Sequence, residues 1–254
     1  SNTAIGLAAS GTGNIAAFSA TNNTSSPISG TITVTPVFTG GAVSCNGPTK
    51  TFTITVNPTP TVTQPANQVV CNGAPTALVT FSGTGATSFT WTNSNTAIGL
   101  AASGTGNIAA FAATNVTSSP ISGTITVTPV YSNGGVSCNG STKTFTITVN
   151  PTPSVNQPSD QVVCNGANTT AVTFGGTGTS YTWANNTTSI GLAASGTGNI
   201  AAFAATNSGS SVVTATITVT PVYTGTVSCN GSTKTFTITV NPTPGVNQPS
   251  DQVV

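Results

Sequence analysis

Apolar residues and threonines alternate one by one through Thr144-Phe145-Thr146-Ile147-Thr148-Val149, and again through Thr124-Ile125-Thr126-Val127-Thr128. A period of two places the apolar side chains on one face of an extended chain and the hydroxyls on the other. β-Branched residues supply much of both faces, so these stretches predict half-buried antiparallel strands. Over residues 61–150 the same reading gives strands near 62–70, 77–82, 88–93, 97–101, 107–114, 123–131 and 143–149, separated by glycine-rich turns. No segment carries a convincing helical period.

The whole pattern recurs. IGLAASGTGNIAAF begins at residues 5, 98 and 190, TFTITVNPTP at 51, 144 and 235, and QVVCNGA at 68 and 161, with QVV again at 252–254. A spacing of 93 and then 92 residues is too long for solenoid units of roughly 20–50 residues. It suits one small β-sandwich of roughly 100 residues. Seven strands per unit predict an all-β chain of tandem immunoglobulin-like or fibronectin-like sandwiches, set head to tail in a rod. The paired prolines of each NPTP stop the last strand and stiffen the connection, so the seams fall at 58–60, 151–153 and 242–244. The expected organisation is the C-terminal part of a first repeat over 1–57, complete repeats over 61–150 and 154–241, and the start of a fourth over 245–254. That makes the chain a window on a longer array. Trp91 and Trp183 fall on the third strand of their repeats, where such sandwiches bury an indole. Phe38, Tyr131 and Tyr223 share one position at the end of the sixth strand and read as packing residues.

Composition then removes most functions. Charged residues make up 2% of the chain: three Lys (Lys50, Lys143, Lys234), two Asp (Asp160, Asp251), and no Glu, Arg or His. No Ser-His-Asp or Cys-His arrangement can be built, and acid–base catalysis has almost nothing to work with, so no enzyme is expected. Zinc and calcium need ligand clusters that the sequence lacks, and no metal or other cofactor is expected. A net charge of +1 gives no electrostatic footprint for nucleic acid, and no apolar run is long enough to insert in a membrane. The triplicated GLAASGTGN comes within one residue of a phosphate-binding loop. However, Thr12, Thr105 and Thr197 stand where the phosphate-binding Lys belongs, and no helix follows. The glycines there read as turn formers.

The cysteines recur at two places per repeat, Cys71 and Cys164 in VVCNG, Cys45, Cys138 and Cys229 in VSCNG. Without metal-like spacing they read as disulfides of an oxidising exterior. Two pairings are open: Cys71–Cys138 with Cys164–Cys229 inside repeats, or Cys71–Cys229 between neighbouring repeats. Tracing strand directions favours the second. The first strand carries Cys71 to one end of its sandwich, whereas the connection holding Cys138 lies at the other, about 30 Å away for a nine-residue strand, and a disulfide spans Cα atoms only about 4.4–6.8 Å apart.

The unit VNPTPTVTQPANQVVCNGA…FTWTNSNTAIGLAASGTGNIAAFAATN…GTITVTPVYSNGGVSCNGSTKTFTITVNPTP resembles the PKD-like, immunoglobulin-like tandem repeats of very large adhesins and filaments on the surface of gliding and related Bacteroidota. The resemblance spans essentially the whole chain. It implies a secreted, extracellular, cell-surface stalk, in some relatives tied to gliding motility, with no catalytic residues to carry over. The partners expected are neighbouring repeats of the same chain and, because uncharged strand edges invite pairing, lateral copies in a filament. The competing reading is a surface-binding module whose threonine-rich faces contact glycan, a substratum or, with less support from a twisted sheet, ice.

Overall fold

The computed structural model describes residues 2–253. Repeat one contributes β1 (Ile28–Val34), β2 (Val37–Gly40), β3 (Val43–Asn46) and β4 (Lys50–Val56). Repeat two contributes β5 (Gln68–Cys71), β6 (Ser88–Asn93), β7 (Ser103–Thr105), β8 (Ile121–Asn133), β9 (Val136–Asn139) and β10 (Lys143–Asn150). Repeat three follows with β11 (Gln161–Cys164), β12 (Ser180–Asn185), β13 (Ser195–Thr197), β14 (Val213–Tyr223), β15 (Cys229–Asn230) and β16 (Lys234–Asn241). The chain is all-β, a tandem of immunoglobulin-like sandwiches.

In repeat two the sheet order is β5-β10-β8-β6-β7, with β9 paired to the far end of β8; repeat three repeats it as β11-β16-β14-β12-β13, with β15 on β14. Every pairing is antiparallel except β5 with β10 and β11 with β16, which run parallel. The alternation has the expected consequence: Ile125 and Val127 on β8, and Ile147 and Val149 on β10, have no exposed surface. Each such side chain contributes about 1.5–3 kcal/mol of burial. They pack with Val79, Phe81, Trp91, Ile98 and Ile108 from the facing layer and the sheet edge. Repeat three builds the same core around Trp183, Ile217, Phe236 and Ile238.

Four expectations are corrected. The first strand of repeat two forms a ladder only over Gln68–Cys71, although Thr61 and Thr63 donate across to Thr84 and Ser82 (2.9 and 2.7 Å). Residues 77–82 and 107–114 touch through the single bridge Val79–Ile108, with Pro75–Ala112 beside it. Proline and side-chain hydrogen bonds interrupt that layer: Asn107 Oδ1 accepts from Phe81 N (2.9 Å) where a strand neighbour would have served. The stretch 97–101 is not a strand. Asn95 caps a single 3-10 turn, Thr96–Ile98, and Gly99 closes it at φ +93°, a left-handed position that glycine occupies without strain. Phe38 is 74% exposed rather than packed, because no counterpart of β6, which flanks the matching end of β8 at Ser88–Val130, lies beside β2 among the described residues.

GLAASGTGN contains the edge strand itself. Gly104 on β7 pairs with Trp91, and a Cβ there would lie 2.3 Å from the indole Cζ2. Gly196 stands in the same relation to Trp183 at 2.2 Å. Both indoles are at most 9% exposed, and their ring nitrogens find no hydrogen-bond partner among the described residues. The motif's glycines therefore let a bare backbone lie flat on a buried ring.

Candidate functional site

Among the described residues no three His, Cys, Asp or Glu side chains gather where a metal could bind, and no helix is long and apolar enough to cross a membrane. The groove between residues 6–18 and β1 is lined by Gly, Ala, Ser, Thr, Asn and apolar residues, with neither acid nor base. The hydroxyl face of each sheet carries one side-chain pair between its two long strands, Ser122 with Thr148 (2.7 Å), Thr214 with Thr239 (3.1 Å), Ser29 with Thr55 (2.8 Å). The two aspartates offer little more. Asp160 accepts from Thr237 N, and in repeat two Asn67 does the same for Thr146 N at 2.8 Å, so the role needs an oxygen and not a charge.

The chemistry concentrates at the seams between repeats. Cys71 ends β5 directly opposite Asn150, the last residue of β10. Cys229 opens β15 on the connection between β14 and β16 of the next repeat. The two are disulfide-bonded, with Cα atoms 5.6 Å apart across 158 residues of sequence. Beside the bond, Asn150 Nδ2 donates to the Val227 carbonyl at 2.8 Å, and Asn150 is only 4% exposed. Asn72 Nδ2 donates to Thr152 Oγ1 (2.9 Å) and fixes the proline linker against the end of the sheet. Gly231, in the CNG triplet, approaches the linker so closely that a Cβ would sit 1.7 Å from the Pro153 carbonyl oxygen.

The seam between repeats one and two is built alike. A Cβ on Gly140 would lie the same 1.7 Å from the Pro60 carbonyl oxygen, and Asn133 Nδ2 donates to Asn57 Oδ1 at 3.3 Å. Cys138 is free and half-buried there; Cys45 and Cys164 are free and exposed.

Neither pair inside a repeat, Cys71–Cys138 or Cys164–Cys229, is formed. The reason is sheet geometry. β5 runs parallel to β10 and delivers Cys71 to the level of Asn150, beyond the Ile121 end of β8. Cys138 sits opposite Tyr131, at the other end of β8, roughly 35 Å away at about 3.3 Å per residue. The sequence reading passed over Asn150 and the seam glycines. Their signal was the constancy of the Asn in NPTP and of the Gly in CNG.

No family model and no curated protein matches the chain. Among solved structures it is similar to the EC22–24 segment of mouse cadherin-23 (12% identity, 84% of this chain, 74% of that one, TM-score 0.36). It is also similar to the I9–I11 tandem of titin (14%, 87%, 95%, 0.29) and the N-terminal Ig1–2 module of the Drosophila receptor tyrosine phosphatase DLAR (15%, 71%, 98%, 0.24). All three are serial domains.

Proposed function

We propose that this chain is a stalk: a passive, covalently stapled spacer in a secreted surface fibre or adhesin, of the kind implied by its resemblance to Bacteroidota repeats. The observation that carries the reading is the Cys71–Cys229 bond across the seam. A linker of three residues alone is a hinge. A second covalent connection beside it, backed by Asn150 and the close Gly231–Pro153 approach, turns the hinge into a fixed joint. Fixing joints between otherwise independent folding units serves the geometry of a long object. The bond also supports an oxidising compartment outside the cytosol.

The near-absence of charge agrees, since a spacer needs neither a steering field nor titratable groups. Small-angle scattering tests the stalk directly. The oxidised chain is expected to have a maximum dimension far beyond that of a compact 24.8 kDa globule, and a compact envelope would overturn the proposal.

A further inference from the structure

Six Asn-Gly pairs occur in the chain: Asn46-Gly47, Asn72-Gly73, Asn133-Gly134, Asn139-Gly140, Asn165-Gly166 and Asn230-Gly231. Glycine after asparagine opens a chemical route that needs no enzyme. The glycine backbone N, once it has lost its proton to solvent, can attack the side-chain Cγ one residue back and close a five-membered ring. A side chain on the second residue would crowd that closure, and glycine has none. The step demands a glycine N–H that is free to ionise and to swing toward Cγ. A hydrogen bond from that N–H to a carbonyl opposes both.

The fold opposes the reaction at five of the six. Gly47 N donates to Pro36 O (2.9 Å), Gly73 N to Ala113 O (2.7 Å), Gly140 N to Pro129 O (3.0 Å), Gly166 N to Ala205 O (2.7 Å) and Gly231 N to Pro221 O (2.9 Å). Asn72 and Asn165 are held a second time, because their Nδ2 atoms donate to Thr152 Oγ1 (2.9 Å) and Thr243 Oγ1 (3.0 Å).

Asn133-Gly134 differs. Asn133 is the last residue of β8 and pairs with Val136, so Gly134 and Gly135 form the whole turn, at φ +58° and +80°. A two-residue hairpin closes through the pair that flanks it and leaves the first turn N–H outside the ladder. Gly134 N accordingly has no hydrogen-bond partner among the described residues. Nothing lies within 4 Å of where a Cβ on either glycine would sit, so the turn stands in water. The turn does not require the asparagine, since Gly40, opposite Val43, holds the same place in repeat one.

We infer that Asn133 is a self-modifying deamidation site, the Asn-Gly pair at which the folded chain converts an amide to an acid unaided. Gly134 N bonds to Asn133 Cγ and the Cγ–Nδ2 bond breaks. The amide nitrogen leaves as ammonia with a proton that balances the one lost from Gly134 N. Water then opens the ring at either carbonyl and leaves aspartate or isoaspartate, so the net change is one amide hydrolysed. One added carboxylate takes the net charge from +1 to 0. The departing Nδ2 is the donor to Asn57 Oδ1 across the seam (3.3 Å), so that contact loses its hydrogen. The inference rests on the turn and not on the stalk reading.

The test incubates the oxidised chain in mildly alkaline buffer beside a reduced sample unfolded in urea. Chymotryptic peptides are followed by tandem mass spectrometry, which assigns the amide-to-acid mass gain to each asparagine. In the folded chain Asn133 is expected to convert about tenfold faster than the other five, which must first break a backbone hydrogen bond. In urea the six rates converge. Asn133→Gly removes the folded-state conversion, and no other site takes its place. Another site leading in the folded chain, equal rates at all six there, or an Asn133 lead undiminished in urea overturns the inference. So does an unreacted Asn133 at the time when half of the unfolded chain has converted.

Discussion

Gly231→Ala is the sharpest probe of the seam. Gly231 does not have a positive φ, so the added methyl introduces no backbone strain of its own and acts only by contact. Its Cβ would lie 1.7 Å from the Pro153 carbonyl oxygen and 2.8 Å from the carbonyl carbon. Both atoms are backbone and cannot rotate away, so the two repeats must part by at least 1.3 Å to restore a 3.0 Å approach. The Asn150–Val227 hydrogen bond, now 2.8 Å, does not survive that displacement, which costs about 0.5–1.5 kcal/mol. Overpacking of the remaining contacts raises the total to about 1–3 kcal/mol. A Cα separation of 5.6 Å leaves about 1.2 Å before the usual limit, so the displacement carries the disulfide to the edge of its range. The bond is therefore driven less strongly. In a glutathione buffer the effective concentration of the Cys71–Cys229 thiol pair is expected to fall by about 5–150-fold, since each 1.4 kcal/mol is tenfold. Gly140→Ala, which strikes the other seam, leaves that value unchanged. An effective concentration for Gly231→Ala within twofold of the unmodified chain would refute the reasoning.

Three further outcomes are expected. Gly104→Ala drives a methyl into the Trp91 ring and destabilises repeat two by about 1–3 kcal/mol, read as a lower urea midpoint by indole fluorescence; an unchanged midpoint contradicts the close-approach account. Asn115→Ala leaves the buried Val149 carbonyl without the 2.8 Å amide that now satisfies it, and costs about 1–3 kcal/mol in the same assay. Reducing Cys71–Cys229 speeds amide hydrogen exchange at Val227–Gly231 while β14 and β16 stay protected, because each sheet has its own core; loss of protection throughout repeat three would mean that the bond holds the fold and not the joint.

The strands with strict alternation were legible because burial follows parity: Phe145, Ile147 and Val149 point in, and the threonines between them point out. The facing layer was less so. Residues 74–83 and 107–114 satisfy their backbone through scattered backbone bonds and through side chains, as when Thr76 Oγ1 accepts from Phe111 N (3.1 Å) and, just beyond, Asn72 Oδ1 from Asn115 N (2.8 Å). Such bonds join residues 35–43 apart and leave no periodicity. The turn at Thr96–Ile98 was mistaken for a strand because Ile98 and Leu100 sit two apart and are both buried, as strand residues would be. At the seam, the cystine could be approached through strand direction, since Cys71 and Cys138 are carried to opposite ends of one sheet. Asn150 showed only as the constant Asn of NPTP, and its role stayed hidden because its partner is a backbone carbonyl in the next repeat.

The two parallel pairings have a mechanical consequence. In repeat two the first strand enters along β5 and the last leaves along β10, side by side and pointing the same way over four rungs, Gln68–Ile147 to Cys71–Asn150; β11 and β16 repeat the arrangement. Tension on the chain ends therefore pulls these neighbours past each other along their length. All the rungs share the load at once, and none can break until the group slips together. An antiparallel pair at the same place would be pulled from one end and opened one rung at a time, like a zip, at far lower force. Cys71 lies on the last of those rungs, so the staple fastens the next repeat to the place where the sheet best resists being drawn apart.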